Sequence, residues 1–199
     1  ELPITVKHRI GVDDFDSYDF LCDFVGAVSN TGCKTFIIHA RKAWLKGLSP
    51  KQNREIPKLN YDRVYQLKKD FPELEIIING GISSIQDSVD HLHQLDGVMI
   101  GREAYTNPYL LAEVDQKIYG KKKSVIKREE IAEKFCQYVD NEMVKGEKLH
   151  SMTRHILGLF RGVKGAKHFR RHISENAQGE TASVDVLYDA LKKVGEHHK

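Results

Sequence analysis

Over the first 120 positions, short β-branched apolar runs alternate with stretches whose apolar residues recur at helical spacing. Ile4-Thr5-Val6-Lys7-His8-Arg9-Ile10 is a run of the first kind, closed by Gly11. Residues 14–29 then place Phe15, Tyr18, Leu21, Cys22, Val25 and Val28 on one helical face. The succession recurs. Lys34-Thr35-Phe36-Ile37-Ile38-His39 predicts a second strand, followed by a long polar loop to Asn60 and a helix over 61–70 that Phe71-Pro72 stops. Glu75-Ile76-Ile77-Ile78 predicts a third strand running into Asn79-Gly80-Gly81, and Ser83-Ser84 can cap a helix carrying Ile85, Val89 and Leu92. A fourth strand, Gly97-Val98-Met99-Ile100, runs into Gly101-Arg102, after which Asn107-Pro108 opens a helix through Tyr119.

Four short strands separated by helices pair in parallel, because a helix must carry the chain back across the sheet in a right-handed crossover. The predicted fold class is therefore α/β. Near-continuous apolar strands imply a sheet buried on both faces, as in a closed barrel or a doubly wound sheet. Gly120 followed by three lysines marks a boundary, beyond which no strand pattern occurs and residues 129–144 and 183–194 read as amphipathic helices. The expected division is an α/β domain over 1–120 and a helical domain over 121–199.

Composition narrows the class. With 199 residues, 40% hydrophobic and 30% charged, the chain is neither disordered nor fibrous. No apolar run reaches the roughly 20 residues of a membrane-spanning helix, and the first 15 positions lack a signal pattern; a cytoplasmic protein with no membrane partner is the expectation. Cys22, Cys33 and Cys136 show neither disulfide nor zinc spacing, so no metal site is expected. The net charge of +3 hides an asymmetry: residues 1–120 carry 14 Lys and Arg against 17 Asp and Glu, whereas residues 121–199 carry 17 against 11. Within residues 148–171 there are seven Lys or Arg and no acid. Such a run suits a solvated helix face or a polyanion, and the complete absence of acids favours nucleic acid.

Candidate chemistry gathers at strand ends. Asn79-Gly80-Gly81 and Gly101-Arg102 follow successive strands and offer backbone N–H groups that a close-approaching phosphate can use. In (β/α)8 barrels the loops after the last two strands often build such a site. Glycine after a strand is usually only a turn, but two such ends in succession weigh toward phosphate. Lys7 within an otherwise β-branched strand and His39 at the end of the next would point to the same mouth; taken singly, each is equally an edge lysine or a core histidine. Together, the four ends are explained by a phosphorylated cofactor. The loop over 40–59 carries Arg41, Lys42, Lys46, Lys51 and Arg54, which suit a polyanionic substrate, and the only tryptophan, Trp44, which reads first as a packing anchor.

The string HARKAWLKGLSPKQNREIPKL, with ITVKHRIG, INGGI and GVMIGREAY in that order and GLFRGVKGAKHFRRHIS beyond them, resembles the A-type tRNA-dihydrouridine synthases along the whole chain. The resemblance implies an FMN-containing (β/α)8 TIM barrel followed by an all-helical RNA-binding domain, and NADPH-dependent reduction of D-loop uridines in tRNA. It implies that Lys7, His39, Asn79, Gly80, Gly81, Gly101 and Arg102 contact FMN, and that Lys51, Arg54, Lys167 and Arg170 contact tRNA. A monomer is expected.

One feature departs from the family. Its general acid is a cysteine in the first half of the barrel, and this chain begins at what resembles the fifth strand. Cys22, Cys33 and Cys136 all read as buried small apolar residues away from the catalytic mouth, so no catalytic residue is expected within the chain. A half barrel would expose its strand edges and inner face, which predicts that the chain is the C-terminal portion of a longer enzyme and inactive alone. Two other classes remain open: a non-catalytic tRNA-binding remnant, and an FMN-barrel oxidoreductase acting on a small molecule.

Overall fold

The computed structural model describes residues 2–195 and divides into two compact units, Glu1–Gly101 and Arg102–Lys199. No helix among the described residues is long and apolar enough to cross a membrane.

In the first unit, four strands alternate with three helices: β1 (Thr5–Arg9), α1 (Tyr18–Ser29), β2 (Thr35–His39), α2 (Tyr61–Asp70), β3 (Glu75–Asn79), α3 (Ile85–Leu92) and β4 (Gly97–Met99). All strand pairs are parallel, in the order β1-β2-β3-β4. This mixed α/β sheet is consistent with part of a (β/α)8 barrel. Helix starts are fixed locally. Ser17 caps α1 by accepting from the Phe20 N–H at 3.0 Å, Asn60 caps α2 through Arg63 N–H at 3.1 Å, and Ser84 with Asp87 forms a capping box on α3.

Register separates the two faces of the sheet. Phe36, Ile38, Ile76 and Ile78 are buried beneath Leu21, Val25, Val64 and Leu67 of the covering helices. The opposite face carries Lys7, Ile37 and Ile77 in one register row and Arg9, His39, Asn79 and Met99 in the next. Here the prediction of two buried faces needs correction: Ile37 and Ile77 are only half-buried and Lys7 is exposed. Both faces of β2 and β3 are apolar at mid-strand, so an apolar run alone cannot reveal that one face is less covered.

The second unit, among its described residues, is helical: α4 (Arg102–Thr106), α5 (Val114–Lys117), α6 (Arg128–Val144), α7 (Leu149–Thr153), α8 (Ala166–Asn176) and α9 (Asp185–Gly195). Phe160 and Phe169 meet edge to face at 4.9 Å in its core, with Cys136, Val139, Leu149 and Leu187 around them. The single helix expected from Asn107 to Tyr119 is instead broken, with a 3₁₀ segment (Pro108–Glu113) between α4 and α5. Residues 102–120 also lie with the helical unit, so the compact units divide earlier than the sequence boundary at 120. The physical reason is packing. Gly158 lies so close to the chain at Thr106 that a Cβ there would sit 2.4 Å from the Thr106 carbonyl oxygen. Arg161 pairs with Glu103 at 2.9 Å, and the Arg128 guanidinium stacks 3.7 Å from the centre of the Tyr109 ring.

Candidate functional site

The C-terminal ends of β1, β2 and β3 converge on one basic concavity. A cavity of about 350 Å³ is lined by Lys7, His8, Arg9, His39, Arg54 and Asn79. Lys7, His39 and Asn79 are therefore brought together, as the alternation of side chains along parallel strands requires. Arg54, expected from the resemblance on tRNA, lines the same cavity. The Asn79 side chain donates to the Met99 carbonyl at 2.8 Å, and the Asn79 carbonyl accepts from Ala40 N–H at 2.9 Å, which ties the ends of β2, β3 and β4 together.

Arg9 was not singled out by the sequence. It stands beside His39 in register, and its guanidinium donates to the carbonyls of Lys42 and Asn53, each at 2.8 Å. Burial, with Arg41 and Arg54 nearby, holds its pKa below the usual value. The available signal was parity: Lys7 and Arg9 are two residues apart on one strand and so share a face. His8, between them, faces the helices, with its ring 5.0 Å from Phe24, and burial lowers its pKa.

Gly80 and Gly81 adopt φ of 113° and 73°, where a side chain would be strained. A Cβ at Gly80 would meet the His39 ring at 2.9 Å, and one at Gly81 would lie 2.5 Å from Leu59 and 2.9 Å from the Tyr61 hydroxyl. Gly101 differs, because a Cβ there meets nothing within 4 Å. Arg102 is the first residue of α4, in the other unit.

The loop over 40–60 is ordered rather than loose. Asn60 N–H donates to Ala40 O at 2.8 Å across its base, Arg41 reaches the carbonyl of Pro57, and the Asn53 side chain bonds both backbone polar groups of Trp44, at 2.8 and 2.6 Å. Trp44 is half-buried, with the Lys42 ammonium 4.2 Å from the centre of its ring. Asp16 binds Arg63 at 2.7 Å and Lys42 at 3.3 Å; burial opposes its ionisation, yet these hydrogen bonds hold its carboxyl below the ordinary range. Lys51 is exposed beside a 3₁₀ turn over Gln52–Arg54.

In the second unit, Lys167 and Arg170 lie three apart on α8 and are both exposed, opposite buried Ala166, Phe169 and Ile173. Among the cysteines, Cys33 is buried before β2, at the end of the sheet away from His39, and Cys136 is buried in α6, where burial pushes its thiol up to about 11. Cys22 corrects the expectation of three buried thiols. It is only half-buried, because its position on α1 follows Leu21 and falls at the edge of the packed face.

The dihydrouridine synthase (Dus) family profile matches residues 1–194. The tRNA-dihydrouridine(20/20a) synthases of Vibrio vulnificus (strain CMCP6) and Vibrio parahaemolyticus serotype O3:K6 are 56% and 57% identical over 195 residues. Each match covers 98% of this chain and 60% of the relative. The enzyme of the same name from Escherichia coli (strain K12) is 54% identical over 196 residues, covering 98% of this chain and 57% of its own length. The chain thus spans about three fifths of the curated relatives it matches. With the profile match running through both units and this identity over nearly every residue, the chain belongs to the dihydrouridine synthase family.

Proposed function

We propose that this chain is part of a tRNA-dihydrouridine synthase that reduces D-loop uridines in tRNA with FMN as cofactor and NADPH as electron donor. The observation that carries the reading is the 54 to 57% identity, over 98% of the chain, to relatives bearing that name.

The residues present fit a phosphate-bearing flavin. Gly80 and Gly81 pack against His39, Leu59 and Tyr61 so closely that only glycine fits, and their neighbours His39 and Asn79 line a cavity with Lys7, Arg9 and Arg54 on its walls. Cations at the mouth of a parallel sheet favour an anionic ligand before any contact forms. Lys7, His39, Asn79, Gly80, Gly81, Gly101 and Arg102 would hold the cofactor, which supplies reducing equivalents for the C5–C6 bond of uracil. Lys51, Lys167 and Arg170 would neutralise RNA phosphates, and Arg54 would stand where the RNA meets the cofactor cavity. An extruded uracil suits this arrangement, since a base inside a helical stem cannot reach a recessed cavity.

The test is dihydrouridine content. Cells lacking the gene should carry unmodified uridine in the tRNA D-loop, and the native protein with FMN and NADPH should restore dihydrouridine. Normal dihydrouridine in those cells, with no activity of the purified protein, would reject the proposal. The placement of the first unit's thiols favours a second reading for the chain by itself, a tRNA-binding module without reductase activity: Cys33 is buried before β2, at the end of the sheet away from His39, and Cys22 is on α1. Uridine reduction by residues 1–199 alone would reject that reading.

A further inference from the structure

The Asn79-Gly80-Gly81 cradle is held from outside by a side chain that no sequence motif marked. Tyr61, the first residue of α2, donates its hydroxyl to the Gly80 carbonyl at 2.7 Å. Burial pushes the Tyr61 pKa up, so the phenol keeps its proton and remains a donor. A trans peptide holds its C=O and N–H antiparallel, and the chain contains no cis bond among its described residues. Binding the Gly80 oxygen on the Tyr61 side therefore turns the Gly81 N–H to the opposite side. Between two glycines with positive φ this direction is otherwise weakly determined, because no Cβ restricts rotation of the peptide plane.

Tyr61 is itself braced. Its ring meets His91 edge to face at 4.6 Å and 71°, and His91 Nδ1 shares a 2.7 Å hydrogen bond with the Tyr65 hydroxyl. His91 is 6% exposed, so the imidazole at the centre of this brace stays out of water. Tyr61 and Tyr65 are one helical turn apart on α2 and His91 is on α3, so two helices together fix one peptide at a strand end.

We propose that Tyr61 is a positioning residue that aims the Gly81 N–H at the phosphate of the bound cofactor, with Tyr65 and His91 holding its ring in place. This rests on the flavin reading above and adds to it the group that sets discrimination between FMN and the same flavin without its phosphate. Loss of one neutral hydrogen bond corresponds to a change of about 3- to 10-fold.

The experiment titrates the native, full-length apoprotein with FMN and with riboflavin and follows quenching of flavin fluorescence. In Tyr61→Phe the FMN Kd should rise about 3- to 10-fold while the riboflavin Kd is unchanged, so the preference for FMN falls by that factor. An unchanged preference, or equal weakening of both ligands, overturns the proposal, since a role in packing alone would affect the two flavins alike. A wild-type protein that binds FMN no better than riboflavin overturns the phosphate reading, and Tyr61's role with it. A wild-type preference that survives intact in Tyr61→Phe overturns only the role of Tyr61. Should Tyr61→Phe fail to fold, Tyr65→Phe decides: a drop in preference of about twofold supports the brace, and an unchanged preference rejects it.

Discussion

The two units carry their cations differently. In the first, Arg9 is held by two backbone carbonyls, and Lys42 and Arg63 by Asp16, so charge is fixed around a concave strand end. In the second, Lys167 and Arg170 stand exposed on a helix, and Arg171 pairs along its own helix with Glu175. Fixed charge in a recess recognises a compact anion by geometry. Exposed charge on long side chains suits a polymer whose phosphates need only be near, at an affinity that salt erodes. Under the proposed function these two arrangements would serve two kinds of anion recognition, and substitutions should separate them.

The largest effect tests whether the helical unit must be intact to offer its charges. Gly158→Ala forces a methyl group against the Thr106 carbonyl, a backbone atom that cannot swing aside. Destabilisation of about 3 kcal/mol is expected, read as a shifted urea midpoint, and wild-type stability would show that the close approach is not required. Next, Gly81→Ala combines a left-handed φ of 73° with contacts to Leu59 and Tyr61. FMN affinity should fall about 100-fold while tRNA affinity stays within twofold; parallel loss of both would erase the distinction between the two kinds of site. The converse variant, Lys167→Ala with Arg170→Ala, should weaken tRNA binding about 10-fold at moderate salt. It should reduce the slope of log K against log salt by about 1 to 2 and leave the FMN Kd unchanged. A slope equal to wild type would remove these two residues from the RNA contact.

Periodicity made the sheet and its helices legible. The boundaries of α2 follow from Asn60 and Phe71-Pro72, and the capping box of α3 from Ser84 and Asp87, because those signals act within a few residues. Lys7, His39 and Asn79 could be grouped because strand parity and strand ends are local properties too. Arg9 and Tyr61 could not. Arg9 acts on carbonyls 33 and 44 residues away, and Tyr61 on one 19 residues away, through backbone atoms that carry no residue identity. The close approach of Gly158 to Thr106 escaped for the same reason, since the two are distant in sequence and close only after folding. The order of the 40–60 loop is likewise built from contacts to backbone oxygens and amides, which leave no hydrophobic pattern.

The smallest expected effect sharpens the contrast from the side of acid. His8 and His91, both in the first unit, are held below the ordinary 6.5 by burial. Well above pH 6.5 each is neutral whether the chain is folded or not, and its titration does not affect stability. As pH falls below 6.5 the unfolded chain takes up protons that the folded chain refuses, so stability declines until the folded pKa values are passed. Acidification from pH 7 to 5 should therefore loosen the first unit around β1 and α3, where these two imidazoles are buried. Hydrogen exchange resolved by segment reads the difference: faster exchange in β1 and α3 than in α6 and α8 is expected. His8→Leu, which keeps an apolar side chain between Phe24 and Phe36, should flatten the pH dependence at β1 while leaving α3 sensitive through His91. Equal acid sensitivity of both units would mean that the burial of these two imidazoles is not what distinguishes them.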